Sequence, residues 1–216
     1  MRLFAAIAAE GAVRETLVQA QAELRRLGRG SFPRPEMLHL TLAFLGEVPS
    51  DAPARAALET LRGTGPLVLT AEGVGRFGDT WWAGIRPDRE LEARVLGLQA
   101  ELRRRGMAVE DRPWVPHITL ARHYRPKSGM PELCLPPVPM EVRQVVLLES
   151  LRQEGRAVYV LRHAAELEEN KAMPGDVRIA HVPRWVIASG IAGRYIDRHS
   201  GKTAPGCEIP AWDSLP

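Results

Sequence analysis

Cysteine, lysine and long apolar runs are scarce in this 216-residue chain. Two cysteines, Cys134 and Cys207, are too few for a disulfide framework or a cysteine metal knuckle, and they suit a reducing cytosol. No apolar run reaches membrane-spanning length, and Glu10 interrupts the short run at the N-terminus. We therefore predict neither a membrane segment nor a signal peptide, and we expect the protein in the cytoplasm.

The basic residues are almost all arginine, since only 3 of the 29 lysine and arginine residues are lysine. Guanidinium groups bind phosphate through paired hydrogen bonds, so this bias suits a polyanionic partner. A biased genomic base composition explains it equally well. The net charge is only +3, and 45% of the residues are hydrophobic, which is enough for one sizeable core, either in one domain or in two packed lobes.

One motif occurs twice. The segment His39-Leu-Thr-Leu-Ala-Phe44 returns 78 residues later as His117-Ile-Thr-Leu-Ala-Arg122. Successive side chains of a strand point to opposite faces, so the histidine and threonine of each copy share one face and the apolar residues take the other. Each copy therefore supplies an imidazole and a hydroxyl to one side of a strand.

The repeat extends beyond the motif. Residues Gln21–Gly28 and Gln99–Gly106 share seven of eight residues at the same 78-residue spacing, and Phe4–Ile7 falls on Trp82–Ile85. We interpret this register as an internal duplication that forms two lobes about a pseudo-twofold axis, with the two histidines facing each other across a cleft. Residues 1–169 hold the duplication. Residues 170–216 have no counterpart in it, and we predict an accessory or disordered C-terminal extension there.

Hydrophobic periodicity predicts a strand, a helix, a loop and the motif strand in each half. A strand hairpin is predicted before the second helix and another at the end of the repeat, with its turn at 153–155. A proline-rich connection is expected over 126–139. The predicted helices are 12–27 and 88–105, and the predicted strands besides the two motifs are 2–8, 67–71, 80–85, 142–150 and 157–163.

The paired motif predicts acid–base chemistry at phosphorus. Two histidines on opposite walls can divide the proton transfers, because imidazole gains and loses a proton near neutral pH. The hydroxyls of Thr41 and Thr119 can donate to the phosphate oxygens as charge develops. Strand alternation places Arg122 on the face opposite His117, so it reaches the phosphate only if the strand bends.

Other residues near the motifs have two interpretations. Trp114 and Tyr124 flank the second motif, where they either stack on a nucleobase or pack in the core. Trp81, Trp82 and Phe44 are expected in the core. A zinc site that includes His123 is the alternative to metal-free chemistry, but no carboxylate or cysteine stands at ligand spacing. We therefore expect no metal and no other cofactor.

At these residues the chain resembles the two-histidine (2H) phosphoesterase superfamily, and within it the RNA 2',3'-cyclic phosphodiesterases, also called 2'-5' RNA ligases or LigT-like proteins. The resemblance rests on residues 1–4, 39–46 and 112–122 and covers roughly residues 1–165. It implies an α+β fold with two pseudo-twofold-related lobes, antiparallel sheets lining a central cleft and helices packed outside. It also implies that His39, Thr41, His117 and Thr119 form the site, with Arg122 matching the arginine that ends the second motif.

The function that the resemblance implies is metal-independent hydrolysis of an RNA terminal 2',3'-cyclic phosphate to a 2'-phosphate. Related superfamily members favour His117 as the base and His39 as the acid. The alternatives are 2'-5' RNA ligation, hydrolysis of another 2',5'-phosphodiester in the same site, and a non-catalytic binder of RNA ends. The expected partners are RNA ends or cyclic nucleotides, with no membrane and no obligate protein partner, and we expect a monomer.

Overall fold

A computed structural model describes residues 1–111 and 113–168. The predicted extension at 170–216 lies outside the described residues. Within them the chain forms nine strands, three α-helices and two short 3₁₀ turns (Pro35–Met37 and Glu59–Leu61). In chain order the strands and helices are β1 (Arg2–Ala8), α1 (Gly11–Leu27), β2 (Gly28–Ser31), β3 (His39–Glu47), α2 (Ala52–Leu58), β4 (Leu67–Phe77), β5 (Thr80–Ile85), α3 (Arg89–Arg104), β6 (His117–Pro126), β7 (Val138–Val142), β8 (Gln144–Gln153) and β9 (Arg156–Glu166).

The two long helices follow the predicted apolar stripes. Each buries the same side of its surface, with Val13, Leu17, Ala20 and Leu24 on α1 and Leu91, Val95, Leu98 and Leu102 on α3. The Asp88 side chain accepts hydrogen bonds from the first backbone N–H groups of α3, which fixes where that helix begins. Helix α3 ends before Gly106, whose φ of +79° is the left-handed conformation that favours glycine at this position.

The strands form one antiparallel sheet made of two similar halves. The strand order is β7-β4-β5-β6 followed by β3-β1-β8-β9, with β2 added beside β6. The two motif strands β3 and β6 meet at the centre, where the pair Leu40 and Ile118 joins them. Each half therefore repeats the strand order of the other about an axis through this pair, and the pseudo-twofold fold with antiparallel strands is confirmed.

Each long helix packs behind the sheet of the opposite half. Helix α1 lies against β6 and β7, whereas α3 lies against β3 and also contacts β4 of its own half. Leu91 and Val95 of α3 line one cavity together with Ile7 of β1 and Val145 of β8. The helices are therefore exchanged between the halves, which ties the two motif strands to each other through one continuous core.

Strand register corrects one part of the sequence alignment. Ala6 lies opposite Thr41, whereas Trp82, which is 76 residues after Ala6, lies opposite Thr119. The first strands of the two halves are thus equivalent at a spacing of 76, and Phe4 is not the counterpart of Trp82. The 78-residue spacing holds for the motif strands themselves. A short apolar run does not reveal a two-residue shift, since either alignment keeps the same face buried.

Two strands lie where the sequence predicted none. Gly28–Ser31 directly follows α1 and pairs with β6, and Val138–Val142 occupies the end of the proline-rich connection. Pro139 is accommodated because β7 is an edge strand, where a missing N–H breaks no ladder. The predicted hairpin turn is confirmed, since Glu154 and Gly155 both have positive φ between β8 and β9.

One further finding concerns the described helices and the membrane. Among the described helices, none combines the length and apolar character needed to cross a membrane. The cytoplasmic location stays a prediction.

Candidate active site

The two histidines and two threonines lie on one face at the junction of the halves. His39 and His117 begin β3 and β6, and all four side chains are half-buried. The residues between them, Leu40 and Ile118, are buried on the opposite face and pair with each other. Diagonal side chains around such a pair stand about 7–8 Å apart in a regular antiparallel ladder. The histidines therefore stand on either side of the Leu40–Ile118 pair, on the face opposite these two side chains.

Both imidazoles are held in the same way. Nδ1 of His39 lies 2.6 Å from the Met37 carbonyl oxygen, and Nδ1 of His117 lies 2.8 Å from the Val115 carbonyl oxygen. A carbonyl oxygen only accepts, so each Nδ1 carries the hydrogen and donates it. This fixes the tautomer and assigns proton exchange to Nε2 in both rings. The two halves thus hold their imidazoles by matched hydrogen bonds.

Burial changes the acidity of His39. Removal from water is the main cause that lowers its pKa from the ordinary 6.5 to about 4. The positive charges of Arg122 and His117 contribute to this fall, and the hydrogen bond to the Met37 carbonyl opposes it. His39 is therefore neutral at pH 7 when no anion is bound beside it.

This lowered pKa makes folding depend on pH. The folded protein holds the neutral ring, so its full stability is present above pH 6.5 and is lost as the pH falls towards 4, where only the unfolded chain takes up the proton. We expect the wild type to lose about 2 kcal/mol more unfolding free energy than His39→Asn between pH 7 and pH 5. Urea unfolding at both pH values measures the difference.

The matched control is His123→Asn, because the His123 side chain is 81% exposed. It should keep the pH dependence of the wild type. Equal pH dependence in His39→Asn and the wild type would show that His39 is not the group responsible.

A β-bulge occurs at the same place in both motif strands. Leu42 has no partner between consecutive pairs of β1 and β3, and Leu120 has none between consecutive pairs of β5 and β6. An extra residue reverses the alternation beyond it. Two adjacent side chains are accordingly buried in each strand, after which Phe44 and Arg122 are exposed. The sixth residue of each motif is thereby turned to the face of its histidine.

The bulge corrects the position predicted for Arg122 from simple alternation. Arg122 is exposed, and the bulge at Leu120 turns it to the face of His117. Phe44, expected in the core, is 40% exposed, and Arg2 lies over its ring at 5.1 Å. The sixth motif residue is thus aromatic and lies beneath a guanidinium in the first half, and is itself an exposed arginine in the second half.

Aromatic rings surround each histidine. Phe4 and Tyr159 contact His39 at centroid distances of 5.0 and 5.4 Å, and Phe77 and Trp82 contact His117 at 5.2 and 5.9 Å. Sequence reasoning missed Tyr159 and Phe77 because neither belongs to a motif. Each lies in a strand that pairs within one half of the sheet, and this pairing is only a weak indication that the ring reaches a histidine.

Trp114 and Tyr124 pack against the core, which is one of the two interpretations that the sequence left open for them. Tyr124 is 4% exposed, and its hydroxyl donates to the Leu24 carbonyl oxygen at 2.9 Å. Trp114 packs against the core, and its indole N–H donates to the Thr41 carbonyl oxygen at 2.9 Å. Tyr124 is therefore not placed to stack on a base. Trp114 instead links the second half to the first motif strand.

The described part of the chain offers no cluster of metal ligands. No three histidine, cysteine, aspartate or glutamate side chains among residues 1–111 and 113–168 are grouped so that they could hold a metal ion. His123 lies near Asp79 instead, at 3.3 Å. Metal independence stays a prediction that needs an assay.

Known proteins resemble this chain over both motifs. Residues 13–154 match the family model of the 2'-5' RNA ligase superfamily. The RNA 2',3'-cyclic phosphodiesterase of Thermus thermophilus is 36% identical over 153 residues, covering 61% of this chain and 73% of that relative. The RNA 2',3'-cyclic phosphodiesterase of Escherichia coli is 34% identical over 125 residues, covering 56% and 71%. The crystal structure of E. coli LigT complexed with 3'-AMP has a TM-score of 0.65 at 28% identity, covering 78% of this chain and 98% of LigT.

Proposed function

Because the chain belongs to the 2'-5' RNA ligase superfamily, we propose that it is an RNA 2',3'-cyclic phosphodiesterase that opens a terminal cyclic phosphate to a 2'-phosphate. Its curated relatives carry this activity in their names. The observation that carries the proposal is the matched histidine pair, in which both Nδ1 atoms donate to carbonyl oxygens two residues earlier. Such a pair supplies one proton acceptor and one donor to the same phosphorus.

The proposed reaction needs both histidines at once. Water attacks phosphorus on the side opposite the 3'-oxygen, a new P–O bond forms, and the bond from phosphorus to the 3'-oxygen breaks. His117 takes the proton of the attacking water at Nε2, and His39 gives a proton from Nε2 to the departing 3'-oxygen. The product is a 2'-phosphate with a free 3'-hydroxyl.

The acid role requires His39 to gain a proton. Its pKa of about 4 describes the protein without bound substrate, where the ring is desolvated and faces Arg122 and His117. A phosphodiester anion bound between the histidines adds negative charge and favours the imidazolium form. We therefore propose that substrate binding and proton uptake by His39 occur together.

The neighbouring groups support the phosphate and the base. The half-buried hydroxyls of Thr41 and Thr119 stand beside the histidines and can donate to non-bridging oxygens as charge develops. Arg122 supplies a guanidinium on the same face. Tyr159 and the exposed ring of Phe44 offer surfaces on which the terminal nucleobase can stack.

Ligation is a second activity that the same site could support. In ligation the 5'-hydroxyl of a second RNA takes the place of water: His117 removes its proton, a new P–O bond forms, the bond from phosphorus to the 3'-oxygen breaks, and His39 protonates that oxygen, which leaves a 2'-5' linkage. Hydrolysis of a different 2',5'-phosphodiester and binding of RNA ends without catalysis are two further candidates. We also propose that the protein acts as a monomer in the cytoplasm on RNA ends or cyclic nucleotides.

A substrate panel in EDTA tests the proposal. RNA with a 2',3'-cyclic end, a 2',3'-cyclic mononucleotide and a 2',5'-linked dinucleotide are incubated with the protein, with and without added divalent metal. We expect the cyclic substrates to turn over in EDTA and to yield a 2'-phosphate. Turnover only with metal, or only of the 2',5'-linked dinucleotide, would contradict it. Binding of cyclic-ended RNA without turnover would identify an RNA-end binder.

A further inference from the structure

Two buried glutamines occupy equivalent positions in the two halves. Gln21 of α1 and Gln99 of α3 are 0% and 8% exposed, within helix faces that are otherwise apolar. Burial of an amide is unfavourable unless its hydrogen bonds are replaced. Because a buried amide recurs at the same place in each helix, we expect it to make a specific hydrogen bond there.

Each glutamine bonds a bulge residue. Gln21 Nε2 donates to the Leu120 carbonyl oxygen at 2.9 Å, and Gln99 Nε2 donates to the Leu42 carbonyl oxygen at 2.8 Å. Leu120 and Leu42 are the residues left without a ladder partner by the bulges in β6 and β3. Since a buried carbonyl without a donor is destabilising, the amides stabilise the bulged conformations over a regular ladder.

The two bonds cross between the halves. Gln21 belongs to the first half but holds the second motif strand, and Gln99 of the second half holds the first motif strand. This exchange follows from the helices, each of which packs behind the opposite sheet. Gln21 also donates to the Pro33 carbonyl oxygen at 2.9 Å, just before the first motif. One amide therefore contacts chain segments that lead to both histidines.

The bulges decide what faces the site. Without the extra residue at Leu120, regular alternation would turn Arg122 away from His39, and without that at Leu42 it would turn Phe44 to the core. We propose that Gln21 and Gln99 are positioning residues: Gln21 acts through Arg122 and Gln99 acts through Phe44. This inference rests on the proposed function, because it assigns Arg122 to the substrate phosphate.

A double-mutant cycle tests whether Gln21 acts through Arg122 while Gln99 acts independently of it. Gln21→Met keeps the length and packing of the side chain but removes the donor to both Leu120 and Pro33. We expect kcat/KM for a 2',3'-cyclic nucleotide to fall about tenfold, the order of magnitude of a lost hydrogen bond to a buried carbonyl such as that of Leu120. In an Arg122→Ala background the same substitution should have almost no further effect. Gln99→Met is the matched control, and its effect should persist at full size in that background.

Equal effects of Gln21→Met with and without Arg122 would overturn the inference, since a general loss of packing acts independently of that side chain. No effect of Gln21→Met in either background would overturn it as well. Thermal unfolding confirms that each variant is folded at the assay temperature. If Gln21→Met is not folded, Gln21→Leu enters the same cycle with the same expected outcome.

The cycle is repeated with binding as the readout. Affinity for a 2'-nucleotide, measured by titration calorimetry, should show the same dependence of Gln21→Met on Arg122. If the wild type binds the nucleotide with this coupling but does not hydrolyse cyclic phosphates, the proposed function is wrong and the positioning role stands. If the wild type hydrolyses them and neither readout is coupled, the positioning role is wrong.

Discussion

Replacement of His39 or His117 by alanine is expected to lower the turnover of a 2',3'-cyclic nucleotide by about 10²- to 10⁴-fold, because each variant lacks one of the two proton transfers. Both side chains are half-buried at the surface of the sheet, so the fold should remain. Steady-state kinetics measure the loss. His123→Ala is the control, since it removes an exposed imidazole from the same strand as His117.

An activated substrate separates the two roles. A phosphodiester with a 4-nitrophenolate leaving group needs no proton on the departing oxygen. It should restore much of the rate of His39→Ala, the variant without the proposed acid, and leave His117→Ala impaired. Rescue of His117→Ala instead would reverse the assignment. Rescue of neither variant would indicate that the histidines chiefly bind the phosphate.

Replacement of Thr41 or Thr119 by valine is the second large effect expected. Valine preserves the shape of the side chain and its strand preference but removes the hydroxyl that we propose donates to the phosphate. Loss of one such donor typically lowers kcat by about 10²- to 10³-fold. The expected signature is a fall in kcat with a smaller change in KM, because the hydrogen bond strengthens as charge develops on phosphorus.

Thr16→Val is the matched control for this substitution. Thr16 lies on α1, where its hydroxyl donates to the Ala12 carbonyl oxygen. Its kinetics should equal those of the wild type. A rise in KM with unchanged kcat in Thr41→Val and Thr119→Val would instead assign the hydroxyls to ground-state binding.

The histidine pair could be predicted from sequence because its signal is local. The doubled His-x-Thr spacing fixes the shared face in any strand, and the helical stripes of α1 and α3 depend only on the 3.6-residue period. The duplication also predicts that a pseudo-twofold axis relates the two halves. These features need no knowledge of which strand pairs with which.

The position of Arg122 could not be predicted in this way. Its face depends on the bulge at Leu120, which exists only in the pairing between β5 and β6 and is stabilised by Gln21 from the other half. Tyr159 reaches His39 from β9, which joins the sheet through β8 and not through the motif strands. Both contacts are tertiary, and sequence spacing carries no record of them.

The packing of each long helix against the opposite half could not be predicted from the sequence either. The sequence shows that α1 and α3 each have one apolar face, but both halves offer an apolar sheet to receive it. Packing decides which half of the sheet receives each helix. In our account this matters for function, because it places each glutamine against the opposite motif strand.

Isotope transfer tests the central claim most directly. The wild type and a His39→Ala/His117→Ala double variant are incubated in H₂¹⁸O and EDTA with RNA that ends in a 2',3'-cyclic phosphate, and the product is analysed by ³¹P NMR and mass spectrometry. We expect the wild type to form a 2'-phosphate that carries one ¹⁸O atom and the double variant to form almost none. A 3'-phosphate, an unlabelled product, or an equal rate in the double variant would contradict two-histidine attack by water opposite the 3'-oxygen.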